Sequence, residues 1–259
     1  MGGRACLALF WRAAATAATT AATTAVVATA AVVGAMASER AETRLGSATA
    51  WFDGPTTRYG HNVLGDLPEW ERLCLAIGAS RACHRLGPEA VFEDIVPRLA
   101  DLDGDGRPEA LVVESTVTHG AALVVYTLAD GHLIRQSLPP IGRRNRWLAP
   151  IGIADLTGDG HPEIAYVETP HLGKRLKIWS WRPSGPKLIF EAAPFSNHRI
   201  GERHITSAFR QCGQHTEIIL PDGQRQNVYR ITWQDNRFQI IHLAPFKAQT
   251  GLTPHLTCP

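Results

Sequence analysis

"DLDGDGRPEALVV", residues 101–113, sets three aspartates within five positions and then runs directly into an apolar segment. "DLTGDGHPEIAYV", residues 155–167, repeats the arrangement 54 residues later. Glu109 and Glu163 occupy the same place in the two stretches, and the same step leads to Glu217 in "FRQCGQHTEIIL". The segments downstream keep this phase: "GAALVVYTL" from Gly120, "KRLKIWSW" from Lys174 and "VYRITW" from Val228. A period of this length marks a repeat architecture, in which each repeat is one supersecondary unit. Around the first stretch a unit reads as four short strands, "PRLADL", "PEALVVE", "AALVVYTL" and "HLIRQSL". They are rich in Val, Ile and Leu and punctuated by Gly, Pro and Asp. Helical periodicity is confined to "LPEWERL". The expectation is an all-β chain, a β-propeller of about four four-stranded blades, or five if they are compact. The clear repeats span 98–250, and a degenerate first blade spans 51–97. A β-sandwich or β-solenoid is the structural alternative.

The acidic stretches have their own chemistry. At alternate positions of the first loop stand Asp101, Asp103, Asp105, Arg107 and Glu109. Three aspartates project oxygens toward one side, and Gly104 and Gly106 let the backbone turn through positive φ. Position seven contributes a backbone carbonyl, so its side chain varies between Arg107 and His161. Glu109 closes the shell from the start of the next strand. Four carboxylates around one point repel by several kcal/mol in total. An oxygen-only set of this kind suits Ca²⁺ better than Mg²⁺ or zinc. The second loop offers Asp155, Thr157, Asp159, His161 and Glu163, one carboxylate fewer, and weaker binding is expected there. Two structural calcium sites follow as the expectation, against the alternative of solvated acidic turns. An EF-hand is excluded, because the twelfth position holds Val112 or Tyr166 in place of a bidentate Glu.

These loop motifs resemble those of FG-GAP or VCBS repeat proteins, bacterial relatives of the integrin α-subunit propeller. The resemblance covers about 98–250 well and 51–97 poorly, and no Phe-Gly plus Gly-Ala-Pro pair accompanies it. It implies a structural metal and a binding module, adhesin or enzyme appendage, and it implies no reaction.

Residues 1–37 read as a secretory leader. Arg4 and Arg12 precede a long Ala/Thr/Val run that ends in Ala35, Met36 and Ala37, a small-x-small cleavage pattern. An uncleaved anchor is the rival reading. Cleavage leaves a single propeller domain, 38–259, that is exported to the periplasm or beyond and has no membrane contact. The formal charge of +2 falls to zero with the two arginines. A chain so balanced is not built around nucleic acid. Four cysteines remain, and an even count in an exported chain points to disulfides. In "CLAIGASRAC" the turn places Cys74 opposite Cys83 on a hairpin, which leaves Cys212 for Cys258. The third loop lacks a ligand set, and the second disulfide is expected to hold that corner. Reduced thiols are the alternative.

Function is expected on the end of the fold away from the acidic loops, on second-to-third-strand loops and inter-blade connections. "GRRNRW" (142–147) and "NHRIGERH" (197–204) share a phase and carry Arg143, Arg144, Arg146, His198, Arg199 and Arg203. Glu114 and Glu168 begin the neighbouring loops, with His119 and His171. This face is expected to take an acidic glycan or a protein or peptide carboxylate, since the guanidinium fork matches a carboxylate. A solvated rim with internal Glu–Arg pairs is the plainer reading. A glycan-active enzyme using the acids and histidines is the second functional class. No nucleophile elbow, HExxH motif or phosphate loop occurs.

Overall fold

The computed structural model describes residues 41–258, so the leader lies outside the described residues. The described chain folds as four successive antiparallel meanders. The first contains β1 (Glu42–Leu45), β2 (Ala48–Thr56), β3 (Glu69–Ile77) and β4 (Ser80–Arg85). The second contains β5 (Ala90–Phe92), β6 (Arg98–Ala100), β7 (Glu109–Thr116), β8 (Gly120–Ala129) and β9 (His132–Ser137). The third runs through β10 (Leu148–Ala154), β11 (Glu163–Glu168), β12 (Arg175–Ser180) and β13 (Lys187–Ala192). The fourth runs through β14 (Ala208–Cys212), β15 (His215–Pro221), β16 (Asn227–Gln234) and β17 (Arg237–Pro245). The third and fourth meanders are separate four-stranded sheets in chain order. β5 and β6 both pair with β7, at Phe92↔Glu114 and Arg98↔Leu111, as two halves of one first strand. β5 also meets β3 at Trp70↔Phe92, which joins the first two meanders into one nine-stranded sheet.

One boundary and one element differ from the sequence expectation. The first unit begins at Glu42, ahead of position 51, because the Gly46–Ser47 turn closes a β1–β2 hairpin. "LPEWERL", the one helical candidate, runs into β3, where Leu73 and Leu75 meet the core on one face. Among the described residues no helix is long and apolar enough to cross a membrane.

Strand alternation arranges the cores. On β7, Ala110 and Val112 enter a cluster with Phe52, Leu73, Leu75 and Phe92 of the preceding strands. Leu111 and Val113 enter the next cluster, with Trp147, Leu148, Ile164 and Tyr166. On β11, Ala165 and Val167 point the other way, toward Ile218, Leu220 and Ile231 of the last sheet. Successive residues of a strand face opposite sides, so the stretches 110–113 of β7 and 164–167 of β11 are apolar without a break because both faces are buried. A two-sheet sandwich has one such interface, and here the described residues form three. The first strands also follow one another in space: β6 lies beside β1, β10 beside β6, and β14 beside β10.

The outer face of the last sheet is closed by the chain's own tail. Ile219 and Val228 pack under Leu252, with Leu243 and Phe246 at the margin. Cys212–Cys258 (Cα–Cα 5.6 Å) fixes this tail beside β14, and Arg210 donates to the carbonyls of His255 and Thr257 at 3.0 and 3.2 Å. The other bridge, Cys74–Cys83, joins directly opposed residues of β3 and β4. Both expected pairings are present. At the end that carries the inter-unit connections, the β2–β3 loop reaches the connection entering the fourth unit. There the Gly201 N–H donates to Val63 O at 3.0 Å. Gly65 sits so close that a Cβ would stand 2.7 Å from the Gly201 carbonyl oxygen.

Candidate metal centre and loop face

The two acidic loops join β6 to β7 and β10 to β11 with the same internal wiring. Asp101 accepts the N–H groups of Gly104 and Gly106 at 2.8 and 2.9 Å, and Asp155 accepts those of Gly158 and Gly160 at 2.7 and 2.9 Å. All four glycines have φ between +75° and +83°, the left-handed region that a side chain would strain. Asp103 accepts Asp105 N–H at 3.1 Å, Asp105 accepts Arg107 N–H at 2.7 Å, and Asp159 accepts His161 N–H at 3.0 Å. The Arg107 guanidinium is drawn to the Leu128 carbonyl at 2.9 Å.

What separates the loops is the fate of one buried glutamate. Glu109 is 2% exposed, and its Oε2 accepts Leu102 N–H at 2.8 Å. Its Oε1 is buried without a partner. One oxygen each from Asp101, Asp103 and Glu109 lies within 4.8 Å of the others, and among the described residues no other such acidic or imidazole group occurs. Asp105 lies outside this group. Burial first, then the charges of Asp103, Asp105 and Asp101, push Glu109 up to about 7, against the Leu102 hydrogen bond. The arrangement is short of positive charge, and its orphaned oxygen fits a hard cation.

Glu163 is fully buried and already has its cation. Its Oε2 accepts the N–H groups of Leu156 and Thr157 at 2.9 and 3.2 Å. Arg182 reaches in from the β12–β13 loop and donates to Glu163 Oε1 at 3.2 Å and Asp159 Oδ2 at 2.7 Å. A metal ion does not fit the second loop while this guanidinium holds two of its ligands. Thr157 Oγ1 is left buried and unpartnered. In the fourth unit Glu217 takes two guanidinium groups, Arg210 at 2.9 and 2.5 Å on Oε2 and Arg230 at 2.7 Å on Oε1. Sequence reading missed Arg182, Arg210 and Arg230. For Arg182 the available signal was that third-to-fourth-strand loops, such as 181–186, share an end with the acidic loops; Arg210 and Arg230 lie in β14 and β16.

The opposite face departs further from expectation. Glu114 and Glu168 are strand residues turned into their sheets. Glu114 accepts Tyr126 Oη at 2.5 Å and Arg135 at 2.7 Å, and Glu168 accepts Lys177 at 2.7 Å. Arg144 lies over Tyr59, 5.6 Å from the ring centre, and Arg203 pairs with Asp66. Arg143 is exposed and Arg146 half-buried, and His119 meets Thr118 at 2.7 Å. His171 and His198 do come together: His171 Nε2 lies 3.0 Å from His198 Nδ1, and His198 Nε2 donates to Glu202 O at 2.9 Å. Trp147 stacks on the first ring and meets the second edgewise. Beside them the fold places Lys174, Arg199 and Arg225; the sequence reading had named only Arg199. Ser115, Glu93 and His61 also meet, but Ser115 is fully buried and donates its hydrogen bond to Glu93 at 2.5 Å, so this hydroxyl is not aimed outward.

The imidazole pair predicts an acid sensitivity. Burial, then the neighbouring His198, lowers His171 to about 4, and burial lowers His198 as well. A folded-state value below the unfolded one means that stability is full above about 6.5 and is lost as the pH falls toward 4. His171→Gln removes this contribution, so the melting-temperature gap between wild type and variant narrows by about 4–8 °C from pH 7 to pH 4.5, after discounting for partial exposure. A constant gap on thermal melts across that range would contradict the assignment.

Residues 98–166 match the family model of FG-GAP-like repeats. The match starts at β6, spans the first acidic loop and the second meander from β6 to β9, and ends in β11 beyond the second loop. No curated protein matches the chain. The stretch from 98 to 166 is thus similar in sequence to the FG-GAP-like repeats.

Proposed function

We propose that this protein is an exported β-propeller-type interaction module, clamped by one calcium ion at the 101–109 loop. The observation that carries the clamp is the buried, unpartnered Oε1 of Glu109 beside Asp101 and Asp103. These three residues would hold the ion, with Asp105 and the Arg107 carbonyl completing an oxygen shell. Bound calcium supplies the positive charge that relieves the carboxylate repulsion. At the second loop Arg182 fills that role, so the proposal keeps one of the two sites expected from sequence. Export is supported by the two disulfides and by the leader pattern of residues 1–37. Four stacked units with adjacent first strands support four blades, with the C-terminal tail sealing the fourth where a closed ring would need another sheet.

Calorimetric titration with calcium tests this reading. The wild type will bind one ion with a dissociation constant of about 10⁻⁴–10⁻³ M, the range of extracellular modules. Asp101→Ala will abolish binding, and Arg182→Ala will raise the stoichiometry to two by freeing Asp159 and Glu163. Two ions bound by the wild type would overturn the guanidinium assignment, and none would overturn the clamp.

A further inference from the structure

The histidine pair lines a cleft of about 350 Å³ between the β11–β12 loop, the connection into β14 and the β15–β16 turn. Its wall carries Lys174, Arg199 and Arg225 and no carboxylate. A second cleft, of about 420 Å³, shares Arg199 and Arg225 with it and adds Glu202. Arg225 is the unusual member. Its side chain is only 8% exposed. It donates to Glu202 at 3.3 Å and Thr206 at 3.1 Å, lies 5.3 Å from the Phe246 ring centre, and keeps a buried Nε without a partner. Lys174 is turned to the Gly223 carbonyl. Three cations therefore face one acid across the two clefts, and a buried guanidinium with incomplete partners favours an incoming anion.

The remaining groups narrow the anion's chemistry. His198 Nε2–H is committed to the Glu202 carbonyl, so neutral His198 accepts at Nδ1 from His171 Nε2–H. His171 Nδ1 is then a lone pair, which asks for a ligand O–H or N–H. Pro170 and Ile200 add an apolar wall, and Ile200 is 71% exposed. A ligand that offers a carboxylate to the guanidinium forks, a hydroxyl to His171 and a ring face to Ile200 is a sugar acid. Two clefts meeting at Arg199 and Arg225 accommodate consecutive residues of a chain. We infer that this double cleft binds a uronic-acid polysaccharide, with Arg199 and Arg225 on the carboxylate and His171 on a ring hydroxyl.

The inference rests on the interaction-module reading, and its test is separate from the calcium test. The full chain is titrated with digalacturonate, followed by calorimetry, in calcium and again in chelator. Neutral galactobiose and N-acetyl-Ala-Ala serve as comparison probes. Saturable digalacturonate binding is expected, with no binding of the neutral sugar and weaker binding of the peptide acid. Arg199→Ala, an exposed position that leaves the fold intact, will weaken binding about tenfold, the loss of one charge-assisted contact. Arg225→Lys, which keeps the charge and loses the fork, will weaken it as well. No binding at about 10 mM, a range where even millimolar affinity would register, overturns the proposal. So does equal binding of galactobiose or of the peptide acid, or an Arg199→Ala variant that binds as the wild type does. Retained uronate binding in Asp101→Ala would leave the cleft standing even if the calcium clamp failed.

Discussion

Calcium added to the chelator-treated protein will raise its melting temperature by about 5–11 °C when the free ion is about 100-fold above its dissociation constant. Such an excess stabilises the folded state by about 2.7 kcal/mol, and domains of about 150–250 residues shift by about 2–4 °C per kcal/mol. The effect is large because the apo corner is strained electrostatically. Asp101, Asp103 and Glu109 converge, and Glu109 Oε1 is buried with nothing to bond. A bound ion would satisfy that oxygen and offset the repulsion together. Asp101→Ala removes a ligand and the anchor for the Gly104 and Gly106 N–H groups, so the variant should melt lower and lose the response to calcium. Asp155→Ala should also melt lower but keep the response, since its loop is closed by Arg182. Thermal melts of the three proteins with and without calcium decide the matter. An unchanged wild-type melting temperature would mean that the corner stands without a metal.

Glu217→Ala will destabilise the protein by about 3–5 kcal/mol, the usual consequence of leaving a buried charge unpaired. Glu217 and Arg210 have side chains only 3% and 4% exposed. Removing the carboxylate strands Arg210 in the interior and frees Arg230. Arg210 also holds the carbonyls of His255 and Thr257, so the loss reaches the tail that covers Ile219 and Val228. Chemical denaturation should show the drop. Limited proteolysis should cut the variant within 246–258 before the wild type, although Cys212–Cys258 still tethers the fragment. A loss below about 1 kcal/mol, the level of an exposed pair, would show that the site is wetter than its burial implies.

The same residues show how far sequence reading reaches. The repeat was legible because both periodicities are local. Apolar strands recur with a 54-residue step, and an Asp-x-Asp/Thr-Gly-Asp-Gly loop precedes two of them. Cys74 and Cys83 paired on paper because a hairpin turn alone sets their distance. The start of the first unit was missed, since β1 is short and half exposed and carries no loop motif.

The site divides along the same line. The sequence by itself determined which residues carry oxygen donors, because their spacing along one loop decides which can converge. Only the tertiary structure decided the charge balance of each corner. Arg182 reaches Glu163 from 19 residues away, and Arg230 reaches Glu217 from 13. Such meetings depend on sheet register and on loops sharing an end, which no local pattern encodes. The ligand face shifted for that reason too. Glu114 and Glu168 turned into their sheets against Arg135 and Lys177, while Arg225 and Lys174 were carried beside His171 and His198 by the packing of the third and fourth units.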